Sequence, residues 1–207
     1  AELLLSDGYD PDRIRVGGAL QMESLVAAQP PEAQKPASAS QPTVLIASSD
    51  SLEETAELTY AAAHLFREGD GVQIVLKCHP RRPFEKVAGL LGSQLPEHVQ
   101  VSNEPIIELI PKCSLMVYSG STVCLEALAL GLPIVHVRPR FDFDLDPLDM
   151  VPESRPEVEG LEQLREKVRW ILDNREEYIV EHQVDWDRLV GDMYGPVNEE
   201  TIHAFVG

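Results

Sequence analysis

The stretch from Leu115 to Val137 constrains the fold of this chain more than any other part of the sequence. An apolar strand, Leu115 to Tyr118, runs into a short turn of serine, glycine and threonine at residues 119–122. A helix follows and ends at Gly131-Leu-Pro133, and a second apolar strand occupies Ile134 to Val137. A strand, a helix and a second strand in this order form a parallel unit. The chain is therefore predicted to build a parallel sheet covered by helices.

The same alternation continues on the amino-terminal side of this unit. Buried-type strands are predicted at 44–47, 72–76 and 99–101, and helices at 51–67, 84–91 and 105–110. The first of these helices begins with Ser51 and has Glu54 three residues later, the pattern of a capping box. Together with the opening unit this gives five strands. We expect an α/β fold, namely a Rossmann-like three-layer α/β/α domain with a parallel sheet.

Composition along the chain suggests three regions. Residues 1–42 are predicted to be a junction segment, and residues 29–42, with four prolines, are interpreted as its linker. Residues 43–174 are predicted to form the Rossmann-like domain, which after Arg138 continues with an acidic loop and a helix from about residue 158 to 172. Residues 175–207 are predicted to be a C-terminal helical tail.

Charge and cysteine content narrow the function classes. The formal net charge is −18, which argues against nucleic-acid backbones and anionic lipid as direct partners. No apolar run approaches the roughly 20 residues that a membrane-spanning helix needs, so no transmembrane segment is predicted. The three cysteines, Cys78, Cys113 and Cys124, lie in or beside apolar elements without CxxC spacing. This pattern favours a reducing compartment.

Polar residues follow the predicted strands at the end where open parallel sheets bind ligands. They occupy residues 48–51, 77–80, 102–104 and 119–122. The last turn places backbone N–H groups and hydroxyls at the start of a helix, an arrangement that suits phosphate. Lys77 and His79 would present a cation and a hydrogen-bond donor to a diphosphate. Each group also has a plain structural interpretation, as a helix cap or a solvated turn.

Glu126 adds a second kind of ligand group. It lies four residues after Thr122 on the same face of the predicted helix, where a carboxylate can accept hydrogen bonds from ribose hydroxyls. The rest of this helix is apolar, so a merely solvated face explains Glu126 poorly. A phosphate turn followed by a sugar-binding carboxylate predicts a nucleotide or nucleotide-sugar site.

Three motifs together resemble the C-terminal half of GT-B glycosyltransferases. They are Lys77-Cys-His-Pro80, Asn103-Glu-Pro-Ile-Ile107, and the run from Ser119 through Glu126 to Gly-Leu-Pro133. By pattern they are similar to bacterial cell-surface polysaccharide transferases and to the UDP-N-acetylglucosamine 2-epimerases, which share the fold. The resemblance covers about residues 16–137.

The resemblance implies a set of nucleotide-sugar-binding residues. It assigns the diphosphate turn to Ser119, Gly120, Ser121 and Thr122, the ribose carboxylate to Glu126, the phosphate-side positions to Lys77 and His79, and a further position to Asn103. It also implies that Gly17 and Gly18 line a cleft between domains. Many retaining members carry an acidic residue eight positions before the ribose glutamate, and Tyr118 occupies that place here. This departure disfavours the retaining subgroup.

The function that follows is donor binding in a glycosyltransferase of cell-surface polysaccharide biosynthesis. The expected substrate is a nucleotide-diphosphate-sugar or a CMP-sugar, the acceptor a glycan or a lipid-linked glycan, and no cofactor or metal is expected. The resemblance implies an N-terminal acceptor-binding domain that usually supplies the general base and is expected to be missing from this chain, so the chain is expected to bind the donor without turning over alone. The expected location is cytoplasmic, peripheral at the inner face of the membrane through the missing domain.

Two other functions stay open. The chain could be half of a sugar-nucleotide 2-epimerase with the same phosphate turn. Alternatively, it could be a non-catalytic nucleotide-binding or interaction module. In that case four aromatic residues near the C-terminus, Trp170, Tyr178, Trp186 and Tyr194, would form a docking surface.

An acidic loop offers a competing site for a metal ion. Four acidic residues match positions 1, 3, 5 and 12 of an EF-hand loop, namely Asp142, Asp144, Asp146 and Glu153. Pro147, however, stands where that loop requires glycine, and a strand rather than a helix is predicted before it. The histidines show no ligand spacing, so no metal site is predicted.

Overall fold

The computed structural model describes residues 2–14, 17, 19, 41–91, 95–195 and 197–206. The predicted linker up to residue 40 and the predicted cleft residue Gly18 lie outside the described residues. No described helix is long and apolar enough to cross a bilayer.

In the described residues, six parallel strands form one sheet, which confirms the predicted fold class. The strands are β1 (Thr43–Ala47), β2 (Gln73–Lys77), β3 (Val99–Val101), β4 (Leu115–Tyr118), β5 (Ile134–Val137) and β6 (Glu157–Val158). Their spatial order is β3-β2-β1-β4-β5-β6. The chain therefore proceeds from β1 toward one edge, returns to β4 and proceeds toward the other edge. The point where the order reverses lies between β1 and β4, and in open α/β sheets this is where ligands bind.

Helices connect and cover the strands. They are α1 (Glu2–Ser6), α2 (Leu52–His64), α3 (Phe84–Leu91), α4 (Ile106–Leu109), α5 (Val123–Ala129), α6 (Gly160–Asp173), α7 (Arg175–Met193) and α8 (Glu199–Val206). Short 3₁₀ turns occupy Pro11–Arg13, Ile110–Lys112 and Pro152–Ser154.

The two central strands explain why the sheet is covered on both faces. Every residue of β4, and every residue of β1 after Thr43, is buried. Such continuous apolar strands are stable only between two helical layers, because both faces must leave water. Right-handed crossovers then place α2 and α3 on one face and α5 on the other. In agreement, α2 packs against α3, and α5 packs against α7.

Two predictions about the second half of the chain needed correction. Val158 does not begin a helix: it pairs with Val137 in the sixth strand, and α6 starts at Gly160. A strand of two residues is too short to show a hydrophobic period in the sequence. The second concerns the docking surface: Tyr178 and Trp186, on α7, are 6% and 1% exposed and belong to the core. These two aromatic side chains therefore cannot form the proposed docking surface.

Candidate functional site

The register of the sheet aligns the strand ends in one row. Lys77 pairs with Ala47, and Ala47 pairs with Tyr118. Neighbouring parallel strands lie about 4.8 Å apart, so Lys77 and Tyr118 are separated by about 10 Å across the point where the strand order reverses. The residues that follow, including Ser48 and Ser119, consequently start from the same edge. The predicted convergence of these polar turns is therefore present in the structure.

The turn after β4 has a mixture of satisfied and free polar groups. The hydroxyl of Ser119 is buried and has no hydrogen-bond partner among the described residues. The N–H of Gly120 donates to Oε2 of Glu54 at 3.3 Å. The carbonyl of Ser121 accepts from the N–H of Cys124, and the side chain of Thr122 makes no cap bond to α5. The turn thus presents a buried hydroxyl and one backbone donor that already holds a carboxylate.

Glu54 was not predicted as a site residue, although the capping-box pattern pointed to it. Ser51 caps α2 as expected, because its hydroxyl accepts from the N–H of Glu54 at 3.2 Å. The reciprocal bond to Ser51 does not form. The Glu54 carboxylate instead accepts from the N–H of Ser49 at 2.9 Å, from the Ser49 hydroxyl, and from Gly120. Burial raises the pKa of Glu54, and these donors oppose that shift.

Gly120 lies in close contact with α2 and with the acidic loop in this arrangement. A Cβ at this position would lie 3.2 Å from Glu54 Oε2 and 3.5 Å from the Cβ of Leu145. The first distance is shorter than an ordinary carbon–oxygen contact, so any larger residue would push against the carboxylate. The resemblance assigned this glycine to the diphosphate turn. The contacts show that it also allows a close approach between the turn, α2 and the acidic loop.

Lys77, His79 and Asn103 line one depression of about 280 Å³ at the ends of β2 and β3. Nδ1 of His79 accepts from the N–H of Arg81 at 3.2 Å and lies 3.7 Å from Asp50 Oδ1. The Arg81 guanidinium pairs with Asp50, and this pairing lowers the pKa of that carboxyl. The structure therefore brings three predicted residues together and adds two that were not predicted, Asp50 and Arg81.

Glu126 lies apart from that depression, on α5. Its side chain is half-buried, and burial raises its pKa. No hydrogen bond or ion pair to the Glu126 side chain occurs among the described residues. Tyr194, just after α7, lies near it: burial and the neighbouring Glu126 charge raise the pKa of Tyr194 to about 12. A half-buried carboxylate with free acceptor capacity is able to bind ligand hydroxyls, in keeping with the predicted role of Glu126.

The segment beyond α7 also contacts the junction near the N-terminus. The N–H of Ala19 donates to the carbonyl of Gly195 at 3.1 Å, and the carbonyl of Gly17 lies 3.6 Å from the position of a Cβ on Gly195. Gly17 was predicted to line a cleft between domains. The structure places it against the C-terminal segment, close in sequence to Tyr194.

The acidic loop at residues 139–150 is anchored to the sheet rather than arranged around a cation. Asp146 is fully buried and accepts from Tyr118 Oη at 2.9 Å and from Arg155 Nε at 2.8 Å. Asp142 instead accepts from the hydroxyl of Ser51 on α2. The residues that match EF-hand positions therefore bond to different partners, which agrees with the rejection of an EF-hand, and β5 precedes the loop as expected. These contacts fix the loop beside the turn after β4.

One group of possible metal ligands occurs among the described residues, and it differs from the EF-hand set. It consists of His136, Asp144 and Glu157, whose ligand atoms lie within 4.8 Å of one another. Asp144 lies beside Nε2 of His136, whereas Glu157 lies beside Nδ1. Arg155 and Arg138 also pair with Glu157, so its charge is already balanced. The absence of a metal requirement stays a prediction.

The three cysteines are part of the core. All three thiols are buried and free, and burial raises the pKa of Cys78 to about 11 and that of Cys113 to about 12. They are small core residues rather than nucleophiles.

A larger apolar groove of about 660 Å³ lies between α2 and α6, and none of the predicted site residues lines it.

Comparison with solved structures identifies the fold. The chain is similar to UDP-GlcNAc 2-epimerase from Neisseria meningitidis bound to UDP-GlcNAc, with a TM-score of 0.61, 15% identity, and coverage of 93% of this chain and 58% of that chain. A putative UDP-N-acetylglucosamine 2-epimerase from Listeria monocytogenes gives a TM-score of 0.57 and 20% identity, covering 96% and 52%. The glycosyltransferase SnogD from Streptomyces nogalater gives 0.57 and 20%, covering 83% and 44%.

The chain has the fold of a GT-B half. It spans between about two fifths and three fifths of the length of these three proteins. No family model and no curated protein matches the sequence. The resemblance predicted from the motifs is therefore confirmed at the level of the fold, and the roles of the individual residues stay predictions.

Proposed function

We propose that this chain is the nucleotide-sugar-binding domain of a GT-B glycosyltransferase of cell-surface polysaccharide biosynthesis. One observation carries the proposal. The register Lys77–Ala47–Tyr118 brings two of the predicted ligand-binding turns to the point where the strand order reverses. The fold of the glycosyltransferase SnogD and of an epimerase bound to UDP-GlcNAc supports it.

In this proposal each group has a separate task. The backbone of the turn after β4 and the free hydroxyl of Ser119 hold the diphosphate, and Lys77 and His79 balance its charge. Glu126 accepts hydrogen bonds from the ribose. As the bond to the sugar breaks, negative charge grows on the diphosphate, and these fixed donors and cations stabilise the leaving group without a metal ion.

An N-terminal domain completes the proposed enzyme. It binds the glycan or lipid-linked acceptor, supplies the general base and closes over the sugar. The proposed location is cytoplasmic, at the inner face of the membrane. The chain alone is then a binding protein for the donor rather than a catalyst.

A nucleotide screen tests the proposal. Thermal unfolding is measured with UDP, CDP, CMP and GDP. A nucleotide at 100 times its dissociation constant stabilises the folded state by about 2.7 kcal/mol. Glu126→Ala and Ser121→Ala should reduce the shift, whereas Glu162→Ala, on an exposed position of α6, should leave it unchanged. No shift with any of the four nucleotides refutes the proposal. If the thermal shift is unchanged in both site variants, the nucleotide binds at another site.

The epimerase alternative is favoured by one observation, namely that the two epimerases match 93% and 96% of this chain. Epimerisation at C2 exchanges the hydrogen on that carbon with solvent. The measurement is therefore release of tritium from UDP-GlcNAc labelled at C2, with the chain joined to its N-terminal partner domain. Tritium release without an acceptor favours the epimerase, and its absence together with sugar transfer favours the glycosyltransferase.

A further inference from the structure

The Glu54 carboxylate joins the two turns that flank the point of strand reversal. It accepts from the N–H of Ser49, after β1, and from the N–H of Gly120, after β4. Its side chain belongs to a residue that is only 5% exposed. The Gly120 donor, which the proposed function assigns to the diphosphate, is therefore already occupied by an oxygen of this protein. A phosphate oxygen has to share or replace that bond.

The groups around Glu54 do little to neutralise it. Asp142, from the loop at 139–150, is a further carboxylate that raises its pKa. On its own helix, Glu53 is exposed, and on the turn after β1, Asp50 pairs with Arg81. None of the ion pairs among the described residues includes Glu54. Within the described part of the chain its carboxylate contacts N–H and O–H donors, from Ser49 and Gly120, and it serves there as a hydrogen-bond acceptor.

We propose that Glu54 is a positioning residue of the nucleotide-sugar site that holds the Gly120 amide in the free protein and takes up one proton when a diphosphate binds. This inference rests on the proposed function. Two anionic oxygens at one N–H, beside a carboxylate that is only 5% exposed, repel each other strongly. Protonation removes the repulsion and converts an acceptor into a donor that can bond to a phosphate oxygen. The proton comes from solvent, and no covalent bond other than O–H forms or breaks.

Isothermal titration calorimetry measures this proton directly. The probe is a nucleotide diphosphate-sugar with the base selected by the screen, UDP-N-acetylglucosamine for uridine or GDP-mannose for guanosine. Its two phosphates carry no ionisation between pH 6 and 9, so any proton exchange belongs to the protein. Titrations at pH 7.5 in buffers with different ionisation enthalpies should give an uptake close to one proton. The dissociation constant should rise about tenfold per pH unit between pH 7 and 8.

Glu54→Gln tests the assignment to this residue. The variant should bind without proton uptake, with a dissociation constant that stays flat with pH and is lower than that of the wild type at pH 8. Glu53→Gln, the exposed neighbour on α2, is the matched control and should keep both the uptake and the pH dependence. In the ligand-free protein, the NMR shift of the Gly120 amide should titrate with pH, and Glu54→Gln should abolish that titration.

The outcomes separate this inference from the proposed function. Binding of the nucleotide-sugar without proton uptake overturns the role of Glu54 and leaves the proposed function standing. Uptake that persists in Glu54→Gln also overturns it, because another group then carries the proton. Failure of every nucleotide-sugar to bind overturns the proposed function and this inference together. The wild-type buffer series needs no variant, so the inference stays testable even when Glu54→Gln does not fold.

Discussion

Removal of the Asp146 carboxylate should destabilise the protein severely. Asp146 is fully buried, Arg155 is 3% exposed at its side chain, and the pair is joined by a bond from Arg155 Nε at 2.8 Å. The same carboxylate accepts from Tyr118 Oη at 2.9 Å and from the N–H of Leu148 at 3.1 Å. Asp146→Ala leaves the buried guanidinium with the partly exposed Glu157 as its remaining counter-charge. Breaking a buried pair in this way costs about 3–5 kcal/mol.

Urea denaturation at pH 7, followed by circular dichroism, measures this loss of unfolding free energy. For a chain of 207 residues the same loss corresponds to a melting temperature lower by about 6–20 °C. Asp185→Ala is the matched control, because Asp185 forms an exposed pair with Arg188 on α7, and such pairs contribute about 0–1 kcal/mol. A loss below about 1 kcal/mol for Asp146→Ala refutes the reasoning, since it would mean that water reaches Arg155.

Three further predictions concern other buried groups. Burial raises the pKa of Glu54 in the folded protein above its unfolded value of 4.5, so its stabilising contribution is fully present below that value and is lost as pH rises through the folded pKa. The stability of Glu54→Gln relative to wild type should therefore increase between pH 4 and 7 in urea titrations, and an unchanged difference contradicts this. The three thiols should resist Ellman's reagent at pH 8 in the native protein and react in 8 M urea, because they are buried and burial raises the pKa of Cys78 to about 11. A fast reaction of the native protein would show an accessible thiolate and contradict this. Trp186→Ala should cost about 3–5 kcal/mol, whereas Trp170→Ala, which is 50% exposed, should cost about 1 kcal/mol, and equal losses argue against the packing of α7 on the core.

The sheet could be predicted from the sequence because its signal is local. Continuous apolar strands separated by helices and turn residues specify a parallel α/β layer, and β1 to β5 were all found by this pattern. The same pattern also predicted that the polar ends of the strands lie at one edge of the sheet. Lys77 and Ser119 were placed at one edge because parallel strands present their carboxyl ends to the same side, and the register confirms that their strands end in one row.

The groups that hold the turns in place could not be predicted in the same way. Glu54 looked like a helix cap, since Ser51 and Glu54 have the spacing of a capping box. Its actual partner, Gly120, lies 66 residues away in sequence. Asp146 looked like part of a calcium loop, and its partner Tyr118 lies on β4. In both cases the side chain is explained by a contact that exists only after the sheet has formed.

Positive and negative charges are distributed unevenly around the proposed site. Four basic residues lie in one stretch of ten, namely Lys77, Arg81, Arg82 and Lys86. The whole chain has 17 basic and 35 acidic residues. The turn after β4 contacts the Glu54 carboxylate, and Asp142 of the acidic loop bonds to Ser51 at the start of α2. A diphosphate in the proposed site is therefore attracted from the side of β2 and repelled from the side of the loop. The diphosphate should therefore lie toward Lys77, which leaves the acidic loop facing an uncharged part of the ligand.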